Sequence, residues 1–315
     1  MSRSIAERWR AATALGLVSL VSTAAAADPP PVPTTFAAQL AFLDTGHERV
    51  AYLRRGAGPP LVLLHGGGTW SYTWRHNFGE LARSHDVVAF DMIGHGFTTS
   101  GGEHAYTLAE TSAVIGRVLD RLHIAHASFV GNSWGGGWAL AFAQAHPERV
   151  DRLVLIGSSG LPGRDRLEWE LMKWPVIGEA MIRLAGRDDI ASGLKTAVAD
   201  PSSVTSGDID AVWAPMRRSD VRAAQVGFMR HLDWRETAAR LPVTKTPVLL
   251  IWGDRDRYVH SAQGRKLCAA LPDARFVVVA DAGHVAHEDQ PIRVDALIDD
   301  FTLRGLVPSD SVCRR

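Results

Sequence analysis

Cysteine is nearly absent from this 315-residue chain, which contains only Cys268 and Cys313. Two thiols cannot build a disulfide framework or a four-cysteine metal site, and with Cys313 in a short polar end segment they read as two unpaired thiols. A charge excess is lacking too, because 34 Lys and Arg balance 34 Asp and Glu. Without a basic surplus to hold a phosphate backbone, nucleic acid is not an expected partner. Beyond residue 27 no apolar run is long enough to span a bilayer, and no repeat period appears. What is present, 46% hydrophobic residues with 29 Gly and 16 Pro, is the composition of an ordinary folded chain and excludes disorder or a collagen-like repeat.

The chain opens with Arg3, Arg8 and Arg10 against the single acid Glu7, followed by an uncharged stretch over 11–27. A basic start, a short apolar centre at 14–21 and small residues at 24–27 form a secretory signal pattern, with cleavage expected after Ala27. The mature protein is then expected to be exported, periplasmic or secreted, without a membrane span, and to begin with a Pro-rich linker at 28–35.

From residue 36 short apolar runs alternate with helix-length segments, the order expected of an α/β fold, a mostly parallel sheet with helices on both faces. The runs at 60–64, 86–90, 127–130, 153–156, 248–251 and 276–279 are nearly continuous in apolar residues, as parallel strands buried on both faces must be. An earlier strand is read at 47–53. Segments 108–122, 134–145, 261–270 and 291–303 carry helix-spaced apolar residues and supply the crossovers. Between 156 and 248 the strand pattern stops and amphipathic pieces rich in Trp and Met take over, at 167–174, 176–184, 209–217 and 221–232. The organisation expected is a first core part over 36–160, a helical cap over 161–240, a second core part over 241–304 and a tail over 305–315.

One motif stands directly between a buried strand and a helix: Gly131-Asn132-Ser133-Trp134-Gly135. This is the G-x-S-x-G nucleophile elbow, in which a tight turn presents the serine hydroxyl and glycines on either side relieve the crowding. Ser133 is the candidate nucleophile. The Trp134 amide, at a helix N-terminus, is one candidate oxyanion donor, and Gly67 in His65-Gly66-Gly67-Gly68 is the second. A serine hydroxyl is a weak nucleophile, so a base and an orienting carboxylate are required. The strand at 248–251 leads into Gly253-Asp254-Arg255-Asp256, and the strand at 276–279 into Gly283-His284. Both lie past strand ends, where open α/β sheets keep their sites. Among 13 His residues, His284 is preferred to His287 because it follows a glycine at the strand exit.

In this order the motifs His65-Gly66-Gly67-Gly68, Asp91 to Gly96, the Ser133 elbow, the Gly253 turn and Gly283-His284 resemble the α/β-hydrolase fold superfamily, over about residues 36–303. The resemblance implies that Asp256, three residues after its glycine, is the triad acid and Asp254 a turn residue. It also implies that Asp91 and His95 are structural, and that neither a metal nor an organic cofactor is needed. The activity it implies is that of a serine hydrolase acting on carboxylic esters with small to medium apolar acyl groups, lipase-like action included.

Haloalkane dehalogenases share the Trp after the nucleophile, but they and epoxide hydrolases need a carboxylate where Ser133 stands. Carbon-carbon bond hydrolases of the meta-cleavage type share the Gly-Asn-Ser elbow and form the alternative reading, although Val285 stands where they usually carry Trp. A binding protein without catalysis on the same fold is the second alternative. Eight tryptophans, Trp70, Trp74, Trp134, Trp138, Trp169, Trp174, Trp213 and Trp234, lie near the site loops or in the cap, and an apolar, partly aromatic cleft is expected there.

Overall fold

The computed structural model describes residue 36, residues 39–163 and 166–307, and residues 311 and 313. The leader, the whole linker at 28–35 and part of the tail therefore lie outside the described residues. Nine strands form one sheet: β1 (Ala41–Asp44), β2 (Glu48–Arg55), β3 (Pro60–Leu64), β4 (Asp86–Phe90), β5 (Thr99–Ser100), β6 (Ala127–Asn132), β7 (Val150–Ile156), β8 (Val248–Gly253) and β9 (Ala274–Val279). Their order is β1-β2-β4-β3-β6-β7-β8-β9, with β5 on β2. From β4 through β9 every pairing is parallel, while β1, β2 and β5 pair antiparallel. The helices are α1 (Phe78–Leu81), α2 (Leu108–Arg121), α3 (Trp134–Ala145), α4 (Leu167–Met172), α5 (Ile177–Leu184), α6 (Arg187–Ala197), α7 (Ser206–Met216), α8 (Ser219–His231), α9 (Trp234–Arg240), α10 (Ser261–Ala270), α11 (Ala286–Asp289) and α12 (Pro291–Arg304).

Burial on both faces explains the unbroken apolar strands. In β3, Val62 and Leu64 enter a core shared with α2, α3 and α10, while Leu61 and Leu63 enter a second core shared with α1 and α12. Because side chains alternate along a strand, both sets must be apolar. Helix α2 shows the complementary logic: Thr107 caps it by accepting from the Glu110 amide, and its buried positions Leu108, Thr111, Val114, Ile115 and Val118 recur at helical spacing.

All six helices α4 to α9 lie in the stretch between β7 and β8, so the cap is one insertion in the sheet order. Helices α6 and α9 were not anticipated. In α6 the apolar stripe is short, Ile190, Leu194 and Ala197, and only Ala197 is fully buried, while Ile190 and Leu194 pack partly buried against Trp70, Tyr72, Ala211 and Val212.

The expectation of two unpaired thiols is corrected: Cys268 of α10 and Cys313 are disulfide-bonded, with their Cα atoms 5.5 Å apart. Ser311 lies against β9, where the Phe276 amide donates to its carbonyl at 3.0 Å. Two cysteines do not reveal such a bond because it depends on where the tail is routed after α12.

Candidate active site

The elbow sits between β6 and α3. Ser133 has φ 52° and ψ −119°, a conformation that side-chain-bearing residues seldom adopt. The turn is held by two backbone bonds, Ser133 N–H to the Ile156 carbonyl and Ser159 N–H to the Ser133 carbonyl, both 3.0 Å. Close approach of chains fixes the glycine: a methyl on Gly135 would lie 2.3 Å from the Leu64 carbonyl oxygen. The first turn of α3 is thereby pressed against the exit of β3, bringing the glycine loop beside the serine.

Gly67 packs directly beneath the Trp134 indole, where a methyl would lie 2.4 Å from the ring. Among the hydrogen bonds of the described residues, neither the Gly67 nor the Trp134 amide is engaged by another protein group. The loop itself is anchored by His65. Its Nε2 accepts from the Met92 amide at 3.1 Å, so the proton resides on Nδ1, which donates to the Gly66 carbonyl at 2.8 Å. Burial, then the neighbouring His95, pushes the His65 imidazole down to about 3, so the ring stays neutral and keeps both bonds.

The candidate acid and base follow β8 and β9. Asp256 and His284 are both buried, and the Asp256 Oδ2 accepts from His284 Nδ1 at 3.0 Å. The other carboxylate oxygen accepts from the amides of Tyr258 at 2.8 Å and Val259 at 2.9 Å, so the acid cannot turn away. Asp254 instead accepts from the Ala282 amide at 3.2 Å and is exposed, a turn residue that does not meet the ring. His287, in α11, is fully buried against Trp74 and bonds the Thr73 hydroxyl.

Asn132 joins the two halves of the site. Its side-chain amide donates to the Ile156 carbonyl and to the His284 carbonyl, each at 3.0 Å. The residue next to Ser133 thus grips the backbone of His284 directly. The direct bond between Ser133 Oγ and His284 Nε2 is not made among the described residues, which leaves the hydroxyl and that ring nitrogen unengaged by protein.

Asp91 accepts from the Ser71 amide and hydroxyl and from the Phe97 amide, and burial raises its carboxyl to about 6 against those donors. His95 packs among His65, Trp138 and Phe228, with burial holding it down to about 4. Both brace the loops beside the site.

Ser133 and Trp134 open onto a cleft of about 590 Å³ between sheet and cap. Its walls include Leu161, Phe228, Leu232, Trp234, Val259 and Leu267, while Arg166, Lys173, Arg230, Asp233 and Arg235 also border it. The cations are met by acids, Arg166 by Glu168, Lys173 by Glu170, Arg230 by Glu179 and Arg235 by Asp233. The expectation of an apolar cleft is corrected, because its lining exposes more polar than apolar surface; the aromatic part holds for Trp134, Trp169 and Trp234, while Trp213 and the others do not line it. Trp70, Trp74 and Trp138 are fully buried core residues, and Trp174 is 63% exposed. Tyr258 was not singled out from the sequence. It stacks on Trp169 at 5.5 Å and lies 5.2 Å from the His284 ring, linking cap to base.

A parallel sheet with a strand-turn-helix elbow and an acid-histidine pair beyond the later strands defines a hydrolase of the α/β class. The family model of the alpha/beta hydrolase fold matches residues 59–200 and 212–291, and the chain belongs to that family. It is 29% identical over 279 residues to haloalkane dehalogenase 2 of Mycobacterium tuberculosis, covering 85% of this chain and 96% of that one. It is 27% identical over 242 residues to the uncharacterized hydrolase YugF of Bacillus subtilis, covering 76% and 89%. Among solved structures it is similar to a meta-cleavage product hydrolase from Pseudomonas fluorescens, with a TM-score of 0.73, 24% identity and coverage of 84% and 97%. This last similarity is one of fold.

Proposed function

We propose that the mature chain is an exported serine hydrolase that cleaves carboxylic esters of small to medium apolar acyl groups. The observation that carries this reading is the Asp256–His284 pair, with its ring backbone tied by Asn132 to the residue adjoining Ser133. With Asp256 accepting from Nδ1, the neutral ring keeps its lone pair on Nε2, the form a general base requires. Ser133 Oγ attacks the acyl carbon and its proton passes to His284 Nε2. The amides of Gly67 and Trp134 receive the developing oxyanion. Collapse expels the alcohol with that proton and leaves an acyl-serine; water, deprotonated by the same nitrogen, then releases the acid.

Within a lining that is polar for the greater part, Leu161, Phe228, Leu232 and Leu267 offer a surface for a short acyl chain, and the charged residues suit a more polar leaving group. A carboxylate nucleophile, which the dehalogenase reaction requires, is absent from the elbow because Ser133 occupies it. Export is supported by the leader pattern at 1–27 and by the Cys268–Cys313 bond, since such bonds persist in oxidising compartments. Carbon-carbon bond hydrolysis remains the second reading, favoured by the Gly-Asn-Ser elbow. The test is turnover of p-nitrophenyl esters of graded acyl length beside a ring-fission dienoate. Ester turnover that falls with long or polar acyl groups supports the proposal, and turnover of the dienoate alone overturns it in favour of the second reading.

A further inference from the structure

The peptide units around His284 are held from two directions. Asn132 takes the carbonyl, as described, while the amide on the other side donates at 2.6 Å to the carbonyl of Ala197, the last residue of α6 in the cap. Immediately after Ala197 the cap chain runs so near the histidine loop that a methyl on Gly283 would lie 2.3 Å from the Ala197 oxygen and 2.9 Å from the Ala199 nitrogen. Two backbones this close present amides to each other that need a common acceptor. Asp289 supplies it: its Oδ2 accepts from the Gly283 amide at 2.7 Å and from the Ala199 amide at 3.0 Å. Tyr258 adds a second tie to α6, donating its hydroxyl to the Gly193 carbonyl at 3.0 Å.

We propose that Asp289 is a positioning residue for His284, its carboxylate stapling cap segment 197–199 to the histidine loop so that the cap forms the rear support of the base. This rests on the serine-hydrolase reading. Asp289 touches neither the ring nor the serine, so its effect passes through the Gly283 and Ala199 amides. Cap and base are then one mechanical unit, and displacement of α6 displaces His284.

The test compares Asp289→Ala, Asp289→Asn and Asp289→Ser with the full-length mature enzyme. Loss of the staple should lower kcat for p-nitrophenyl butyrate by about ten- to a hundredfold, the cost of a small misplacement of a reacting group, with KM within about twofold. Asparagine keeps an acceptor oxygen and should retain most of kcat; serine is too short to reach both amides and should behave as alanine. Glu48→Gln, which weakens a buried ion pair with Arg117 at the far end of the sheet, lowers Tm without lowering kcat and separates stability from positioning. The second readout needs no turnover: the downfield proton resonance of the His284 Nδ1–H, identified by its loss in Asp256→Asn, should shift or broaden in Asp289→Ala. Unchanged kcat and an unchanged resonance in Asp289→Ala, or Asp289→Asn no better than Asp289→Ala, would overturn the proposal. If the resonance responds as stated while no ester is turned over, the positioning stands and the ester reading falls.

Discussion

Ser133 is held at a positive φ in a turn fixed by backbone bonds on both sides, and its hydroxyl makes no hydrogen bond to the described residues. Ser133→Ala should therefore fold normally and lose acylation entirely, read as the absence of a p-nitrophenol burst. Asp256→Asn keeps the shape of the acid but can offer its amide nitrogen to the ring, favouring the wrong tautomer, and kcat should fall by about 10⁴. Asp254→Asn, in the same turn, should stay close to wild type because Asp254 meets a backbone amide and not the ring. At this scale Ser133 and His284 stand out in the sequence as candidates, Ser133 directly after a strand with Gly131 and Gly135 two residues away on either side, and His284 beyond a strand next to Gly283. Asp256 and Asp254 were not separable from the residues themselves; only the direction of the carboxylate distinguishes them. Asn132 was visible as part of the elbow, but its grip on the His284 carbonyl depends on a loop 152 residues away.

Elements were legible in proportion to their burial. Strands β3, β4, β6, β7, β8 and β9 lie between two helical layers, and continuous apolar runs announce them. Strand β1, at the sheet edge with Ala41, Phe42 and Asp44 exposed, carries no such run. Helix α6 shows the same limit in the cap, since its stripe of Ile190, Leu194 and Ala197 is short, set among charged and small residues, and fully buried only at Ala197. The contact between α3 and the exit of β3 is the opposite case, built on glycine and intolerant of change. Gly135→Ala would drive a methyl into the Leu64 and His65 carbonyl oxygens, both backbone atoms that cannot rotate away. The expected cost is about 1–3 kcal/mol of stability, measured by urea unfolding, together with loss of ester turnover as the serine and the glycine loop are forced apart. Gly79→Ala, where a methyl meets nothing within 4 Å, serves as the control and should leave both unchanged.

The molecule as a whole carries two features that composition did not disclose. One is the disulfide, which closes a 45-residue separation containing β9 and α12. Constraining a loop of that length in the unfolded chain is worth about 4 kcal/mol, so reduction or the paired Cys268→Ser, Cys313→Ser change should lower Tm by several degrees. Unaltered unfolding under reducing conditions would contradict this. The other is Asp295, buried in α12, where desolvation, with Asp299 and Glu80 adding to it, raises the carboxyl to about 7 against the bond from Asn77. Its folded value lies above the 3.8 of an ordinary aspartate, so the folded state holds the proton more tightly and stability from this group falls as pH rises from about 4 to 7. Asp295→Asn should remove that fall: its Tm relative to wild type should increase over the same pH range, and a constant difference would contradict the assignment.

The most direct test of the catalytic assignment is active-site labelling of the mature protein by a fluorophosphonate, followed by peptide mass spectrometry. One adduct is expected, on Ser133, formed rapidly by wild type, strongly slowed in His284→Ala and absent in Ser133→Ala. An unlabelled Ser133 in folded wild-type protein, or an adduct formed equally fast without His284, would contradict it.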